Sequence, residues 1–149
     1  MLALVQRVRE AAVTVDHESV GSIEIGLLVY VGVAKGDESR DVDYVGNKIR
    51  HIRIFPDASG KMNLDVVQAA GAVLLVSNFT LVASTNRGRR PGFDRAADPE
   101  IAEELYEQLA NRIRAEGVGV QTGRFGEKMF VTAVNDGPIN LVIDSREDA

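Results

Sequence analysis

The chain has 149 residues, 45% of them hydrophobic, a formal net charge of −5 and no cysteine. Its length predicts one domain spanning 1–149, able to bury about two-thirds of its unfolded surface. Disulfides, thiolate zinc sites and cysteine nucleophiles are excluded, and the acidic balance argues against a protein that coats nucleic acid.

Residues 2–8 read as a strand by their period of two, and 12–15 continue it. The N-terminal stretch is too short and too soon charged for a signal peptide, and no apolar run is long enough for a membrane helix. A cytoplasmic protein with no membrane partner is therefore expected. Asp16-His17-Glu18 forms a turn, 20–25 return, and Gly26 breaks the hairpin before an apolar central strand at 27–33.

The period then changes. Over 37–52, Val42, Val45, Ile49 and Ile52 share a helical face, with Ser39 as the expected cap and Gly46 marking close packing against a sheet. A short strand at 53–55 ends in Pro56-Asp57-Ala58-Ser59-Gly60. Residues 72–76 form an apolar strand that runs into Ser77-Asn78-Phe79-Thr80. A second helix is predicted over 99–116, capped by Asp98, begun by Pro99 and ended by Gly117. Strands follow at 118–122 and 128–134, then Asn135-Asp136-Gly137-Pro138 and a final apolar run at 139–142.

That tetrapeptide admits two readings. Asp-Gly between strand-like runs signals a hairpin, whereas the proline suggests one strand interrupted by a rigid main-chain feature. Seven or eight strands in hairpin-like pairs with two helices predict a mixed α/β fold. It would be a layered β/β/α domain with largely antiparallel strands, and a doubly wound parallel sheet is disfavoured.

Chemistry is narrowed by elimination. There is no phosphate-binding loop of the Walker type, no dinucleotide fingerprint and no nucleophile elbow. His17 and His51 lack metal-ligand spacing, so no metal and no cofactor are expected. Ser77 and Thr80 stand at a strand end, either facing a pocket or simply terminating the strand, with no base to activate them. Arg7 is either a buried arginine bonded to carbonyls of a loop or an edge-strand charge. Arg87, Arg89, Arg90 and Arg95 cluster around one acid, Asp94, and either meet phosphates or form a solvated loop.

The motifs Leu4-Val5-Gln6-Arg7-Val8, Ala12-Val13-Thr14-Val15, Arg53-Ile54-Phe55 and Gly60-Lys61-Met62-Asn63 come first in a longer set. Ser77-Asn78-Phe79-Thr80-Leu81, Gly88-Arg89-Arg90-Pro91, Thr122-Gly123-Arg124-Phe125-Gly126 and Asn135-Asp136-Gly137-Pro138 complete it. In that order and spacing the set resembles the D-aminoacyl-tRNA deacylase family over essentially the whole chain. The resemblance implies a homodimer that hydrolyses the ester joining a D-amino acid, or mischarged glycine, to the 3′ end of tRNA. It implies a cis Gly137–Pro138 bond acting as a chiral gate inserted into the partner's active site, with Arg7 holding the gate. Ser77, Asn78, Phe79 and Thr80 match the motif beside the scissile ester. Phe125 and Met129 correspond to pocket-lining positions, and Arg87, Arg89 and Arg90 are candidates for tRNA contacts.

Two residues depart from the family pattern. Asn78 replaces the usual glutamine, and Asn140 replaces the threonine of Gly-Pro-Val-Thr. The mechanism implied is water attack assisted by the ribose hydroxyl, with an oxyanion held by main-chain amides near Phe79 and Thr80. A non-catalytic dimeric RNA-binding module on the same fold is the rival reading. A general esterase is disfavoured by the missing nucleophile and base.

Overall fold

The computed structural model describes residues 1–147. The first strand, β1 (Leu2–Val15), organises the sheet. Its first half pairs antiparallel with β3 (Gly26–Gly32), its second half with β2 (Glu18–Ile23), and its other edge runs along β8 (Phe130–Asp144). From β3 the sheet continues in parallel through β6 (Ala72–Ser77) to β7 (Gly119–Thr122). The predicted β/β/α layering is present. The two parallel pairs arise because a helix lies between their strands in the chain, as a parallel connection requires.

Alternation along the central strands divides the core. Leu27, Val29 and Val31 of β3, with Val73 and Leu75 of β6, pack toward the helices. Leu28, Leu74 and Val76 point the other way, joining Val8, Ala11, Val13 and Ile23 inside the curled sheet. Leu27, Leu28, Leu74 and Leu75 have no exposed surface. Each contributes roughly 1.5–3 kcal/mol relative to leaving it in water.

Helix α1 (Ser39–His51) buries Val42, Val45 and Ile49, the face read from its period. Its N-cap is Glu38 rather than Ser39; the Asp41 carboxylate accepts the Glu38 N–H at 2.8 Å, and the Ser39 hydroxyl instead bonds Gln108. Gly46 packs against α2 (Pro99–Arg114) and not against the sheet, since a Cβ there would lie 3.0 Å from Arg112 Cγ. Asp98 and Pro99 begin α2 as expected.

Several strand boundaries differ from the sequence reading, among them β2, which spans Glu18–Ile23 rather than 20–25. The strand expected at 53–55 is displaced to β4 (Phe55–Pro56), paired with β5 (Met62–Leu64), and Arg53 instead bonds Asn63. Gly26 opens β3 instead of ending the hairpin, pairing with Ala72 of β6 so closely that an added Cβ would sit 1.9 Å from Ala72 O. The last strand begins at Phe130, two residues later than expected.

The largest difference concerns Asn135-Asp136-Gly137-Pro138. Strand β8 passes through it without turning back. Gln6 pairs with Asn140 and Val8 with Asn135, so Asp136, Gly137, Pro138 and Ile139 all bulge opposite the single residue Arg7. Of the two sequence readings, interruption of one strand is the one observed.

The open ends of β1 and β8 meet α1 in a buried ionic cluster. The Met1 ammonium pairs with Asp37 Oδ2 at 2.8 Å, with no exposed side-chain surface on either residue. Met1 also donates to Ser145 Oγ, which in turn donates to Asp41 Oδ1 at 2.6 Å. Burial pushes the Asp41 carboxyl up, but the Ser145 hydroxyl, the Glu38 N–H and the Met1 and Arg40 charges outweigh it. The carboxyl is held below its ordinary value of 3.8. A depressed folded value gives stability that is present above 3.8 and is lost as the pH falls through the lower folded value. Asp41→Asn should therefore lower Tm at pH 7 by more than it does at pH 3. Equal losses at both pH values would contradict this assignment.

Candidate active site

Where β6 ends, the chain enters a 3-10 turn at Phe79–Val82. The switch of backbone places Ser77, Asn78 and Phe79 at the mouth of a cavity of about 460 Å³. Its walls are mostly apolar. Val31 and Val33 come from the end of β3, Ala96 and Ala97 from the segment before α2, and Ala102 and Tyr106 from α2 itself. Phe125 and Met129, from the segment joining β7 to β8, close the side.

Three of the four strand-end residues and both predicted pocket residues thus meet in one cavity. Thr80 stands beside it, exposed, and its hydroxyl donates to Asn78 Oδ1. This bond turns the Asn78 side chain along the chain toward Thr80 and leaves its amide nitrogen available. The first bond of the 3-10 turn runs from Leu81 N to Asn78 O, so the N–H groups of Phe79 and Thr80 stand ahead of it. Phe79 is 58% exposed and stacks at a tilt on Phe93, with ring centroids 5.0 Å apart.

Gly137 and Pro138 are exposed at the bulge in β8 and do not line this cavity. Their peptide bond is cis. Arg7 lies beneath the bulge with its side chain only 11% exposed. Its Nη1 donates to Ile54 O at 2.7 Å and its Nε to Asp136 O at 3.3 Å, so a buried arginine bonded to loop carbonyls is the arrangement observed. Asn135 spans the bulge, donating from Nδ2 to Arg7 O and to Ile139 O. Asn140, one of the two departures, accepts from Gln6 Nε2 at 2.9 Å. Arg87, Arg89 and Arg90 are exposed on a loop whose base is closed by paired bonds between Ser84 and Gly92.

Sequence reasoning missed Tyr106. On α2, its ring forms part of the cavity wall while its hydroxyl donates to Leu75 O at 2.7 Å. Burial pushes this phenol well above its ordinary value. It is a fixed neutral donor, already used. His51 lies elsewhere, with Nε2 3.2 Å from Glu116.

A profile described as D-Tyr-tRNA(Tyr) deacylase matches residues 4–144. The chain belongs to that family. It is 51% identical to a D-aminoacyl-tRNA deacylase of Symbiobacterium thermophilum, over 97% of this chain and 96% of that one. It is equally identical to one from Chloroflexus aurantiacus, over 99% and 92% of the two chains. A solved structure described as c-Myc DNA Unwinding Element Binding Protein superposes with a TM-score of 0.91. That protein is 32% identical, covering 97% of this chain and 98% of the other. A second, a probable eukaryotic D-amino acid tRNA deacylase, shares the fold with a TM-score of 0.80 at 14% identity, over 95% and 97% of the chains. In this deacylase-family chain the cavity combines strand-end hydroxyl and amide groups with apolar walls. Glu127 and the buried Tyr106 are the titratable groups that line it.

Proposed function

We propose that this protein hydrolyses the ester bond of D-aminoacyl-tRNA, and of mischarged glycyl-tRNA, in the cytoplasm, releasing the free amino acid and tRNA. The observation that carries this reading is the cavity at the end of β6. In a chain of this family, it sets Ser77, Asn78 and Phe79 against apolar walls. As a carboxylic ester hydrolase it needs a nucleophile, and water activated by the neighbouring ribose hydroxyl supplies one that the side chains do not. The enzyme's part is orientation and charge stabilisation. The Phe79 and Thr80 N–H groups hold the developing oxyanion, and Thr80 positions the ester without forming a bond to it.

Thr80→Ala should therefore lower kcat about tenfold, the loss of one ordinary hydrogen bond. No acyl-enzyme should accumulate on the wild type in rapid-quench mass spectrometry. Abolished hydrolysis together with a trapped Thr80 ester would sink the assignment.

The chiral filter is main chain. Gly137 and Pro138 present their carbonyls to the substrate amino group and leave no room for an L side chain, with Arg7 fixing the loop. Because the gate does not line its own chain's cavity, it acts in the partner of a homodimer. Among the described residues β8 pairs only with β1, and its Phe130, Val134 and Val142 are exposed by 62, 46 and 67%, which favours association through that strand. Steady-state rates on D-tyrosyl-, L-tyrosyl- and glycyl-tRNA test the whole scheme. Rapid cleavage of the first and last, and none of the second, is expected.

The second reading is a non-catalytic nucleic-acid-binding module, favoured by the description of the 32% identical structural neighbour. Retention of D-tyrosyl-tRNA without hydrolysis would establish it.

A further inference from the structure

Resting on the aminoacyl-tRNA reading above, we propose that the substrate's acceptor strand leaves the cavity over a ribbon formed by 33–35 and 95–97, with Lys35 and Arg95 contacting its phosphates. The ribbon is defined by main-chain bonds. Ala97 N donates to Val33 O at 3.0 Å, Lys35 N donates to Arg95 O at 2.9 Å, and Ala34 bridges Ala96 between them. At one end Val33, Ala96 and Ala97 are cavity wall. At the other, about 7 Å along an extended chain, stand two exposed cations. Neither Lys35 nor Arg95 has a side-chain partner among the described residues.

Charge around the cavity selects this exit. Glu127 lines the cavity itself, and Glu103 and Glu107 line the adjoining hollow that shares Tyr106 and Phe125 with the cavity. The one cation of that hollow, Arg114, is tied to Asn111 Oδ1 and Val120 O. A polyanion leaving on that side would run along carboxylates. Past the ribbon, Asp144 and Glu147 border the hollow beside Arg95, and Arg146 is occupied by Asp37. Exposed cations remain at Lys35 and Arg95 and on the loop that carries Arg87, Arg89 and Arg90. This loop belongs to one excursion of the chain, which starts at Phe79 and returns at Ala96, both in the cavity wall.

The test compares two substrates. D-tyrosyl-adenosine fills the cavity but has no strand to follow the ribbon, whereas D-tyrosyl-tRNA has both. For the double variant Lys35→Ala/Arg95→Ala, kcat/KM on D-tyrosyl-tRNA should fall roughly tenfold at 0.1 M salt. The salt slope of uncharged tRNA binding should shrink by about 1.4, from two lost single-strand phosphate contacts. Hydrolysis of D-tyrosyl-adenosine should not change. Lys61→Ala, an exposed lysine in the turn between β4 and β5, should match the wild type on both.

A double variant that behaves like Lys61→Ala on tRNA overturns the path. So does an equal loss on both substrates, which would mean that the two residues shape the cavity. If the wild type hydrolyses neither substrate, the substrate assignment itself fails, and the path with it.

Discussion

Replacing Gly137 by alanine is expected to lower kcat/KM for D-aminoacyl-tRNA by about a hundredfold, the penalty for displacing a positioning group by an ångström. Gly137 has φ +125, a backbone region that L side chains rarely adopt. A Cβ there would lie 2.8 Å from Ile139 Cγ1 and 2.9 Å from Ile139 N. The second contact is main chain, so it is relieved only by moving the bulge. Arg7 holds that bulge through Asp136 O, and Asn135 ties both of its ends, so displacement would carry the carbonyls of the proposed gate away from where they would exclude an L side chain. Loss of activity on the D-substrate should therefore come with a rise in relative activity on the L-substrate. Because the bulge is exposed, Tm should fall by only a few degrees. A variant that keeps wild-type rates and wild-type discrimination would remove Gly137 from the gate.

The largest expected effect on stability is at Asp37. Its carboxylate accepts from the Met1 ammonium at 2.8 Å, from Ala34 N at 2.7 Å and from Arg146 Nη2 at 2.8 Å, and its side chain has no exposed surface. Asp37→Asn keeps the shape but replaces one acceptor with a donor and leaves a buried ammonium without its counter-charge. Breaking such a pair from one side costs about 3–5 kcal/mol. In a chain of this size that corresponds to a fall in Tm of about 10 °C. Arg146→Ala should cost much less, since the Arg146 side chain is 44% exposed and solvent screens its pair. Differential scanning calorimetry of the two variants measures both. Comparable losses would mean that the buried Met1–Asp37 contact contributes little.

Much of the site was legible because it depends on short-range patterns. The apolar run of β6 followed by polar residues marked Ser77 to Thr80 as a strand end, and a strand end beside helices is where a cavity forms. An amphipathic period marked the buried face of α1, and Asp98 and Pro99 marked the start of α2, with helix boundaries good to a residue or two. The misplaced cap at Ser39 shows the limit. Serine, glutamate and aspartate all stand within reach of the first turn, and the choice fell to Glu38 with Asp41 because Asp41 also answers Ser145, more than a hundred positions away. Tyr106 was hidden for a similar reason. A helical period reports which face is buried, not whether that face meets core or cavity.

By itself, then, the sequence determined the layered α/β class, the family, the two helices, and the strand end whose residues line the cavity. Periodicity and capping are local properties and suffice for the helices and the class, while the family rests on the resemblance of an ordered set of short motifs. Whether Asn135-Asp136-Gly137-Pro138 turned the chain back or carried it onward was left open, because local turn chemistry is the same in both cases. Tertiary structure decided it through β1, a strand of 14 residues long enough to pair with β8 on both sides of the interruption. Backbone pairing along that length outweighs the local preference for a hairpin, and four residues are forced out opposite the single residue Arg7. The same pairing puts the Arg7 guanidinium within reach of the bulge carbonyl Asp136 O.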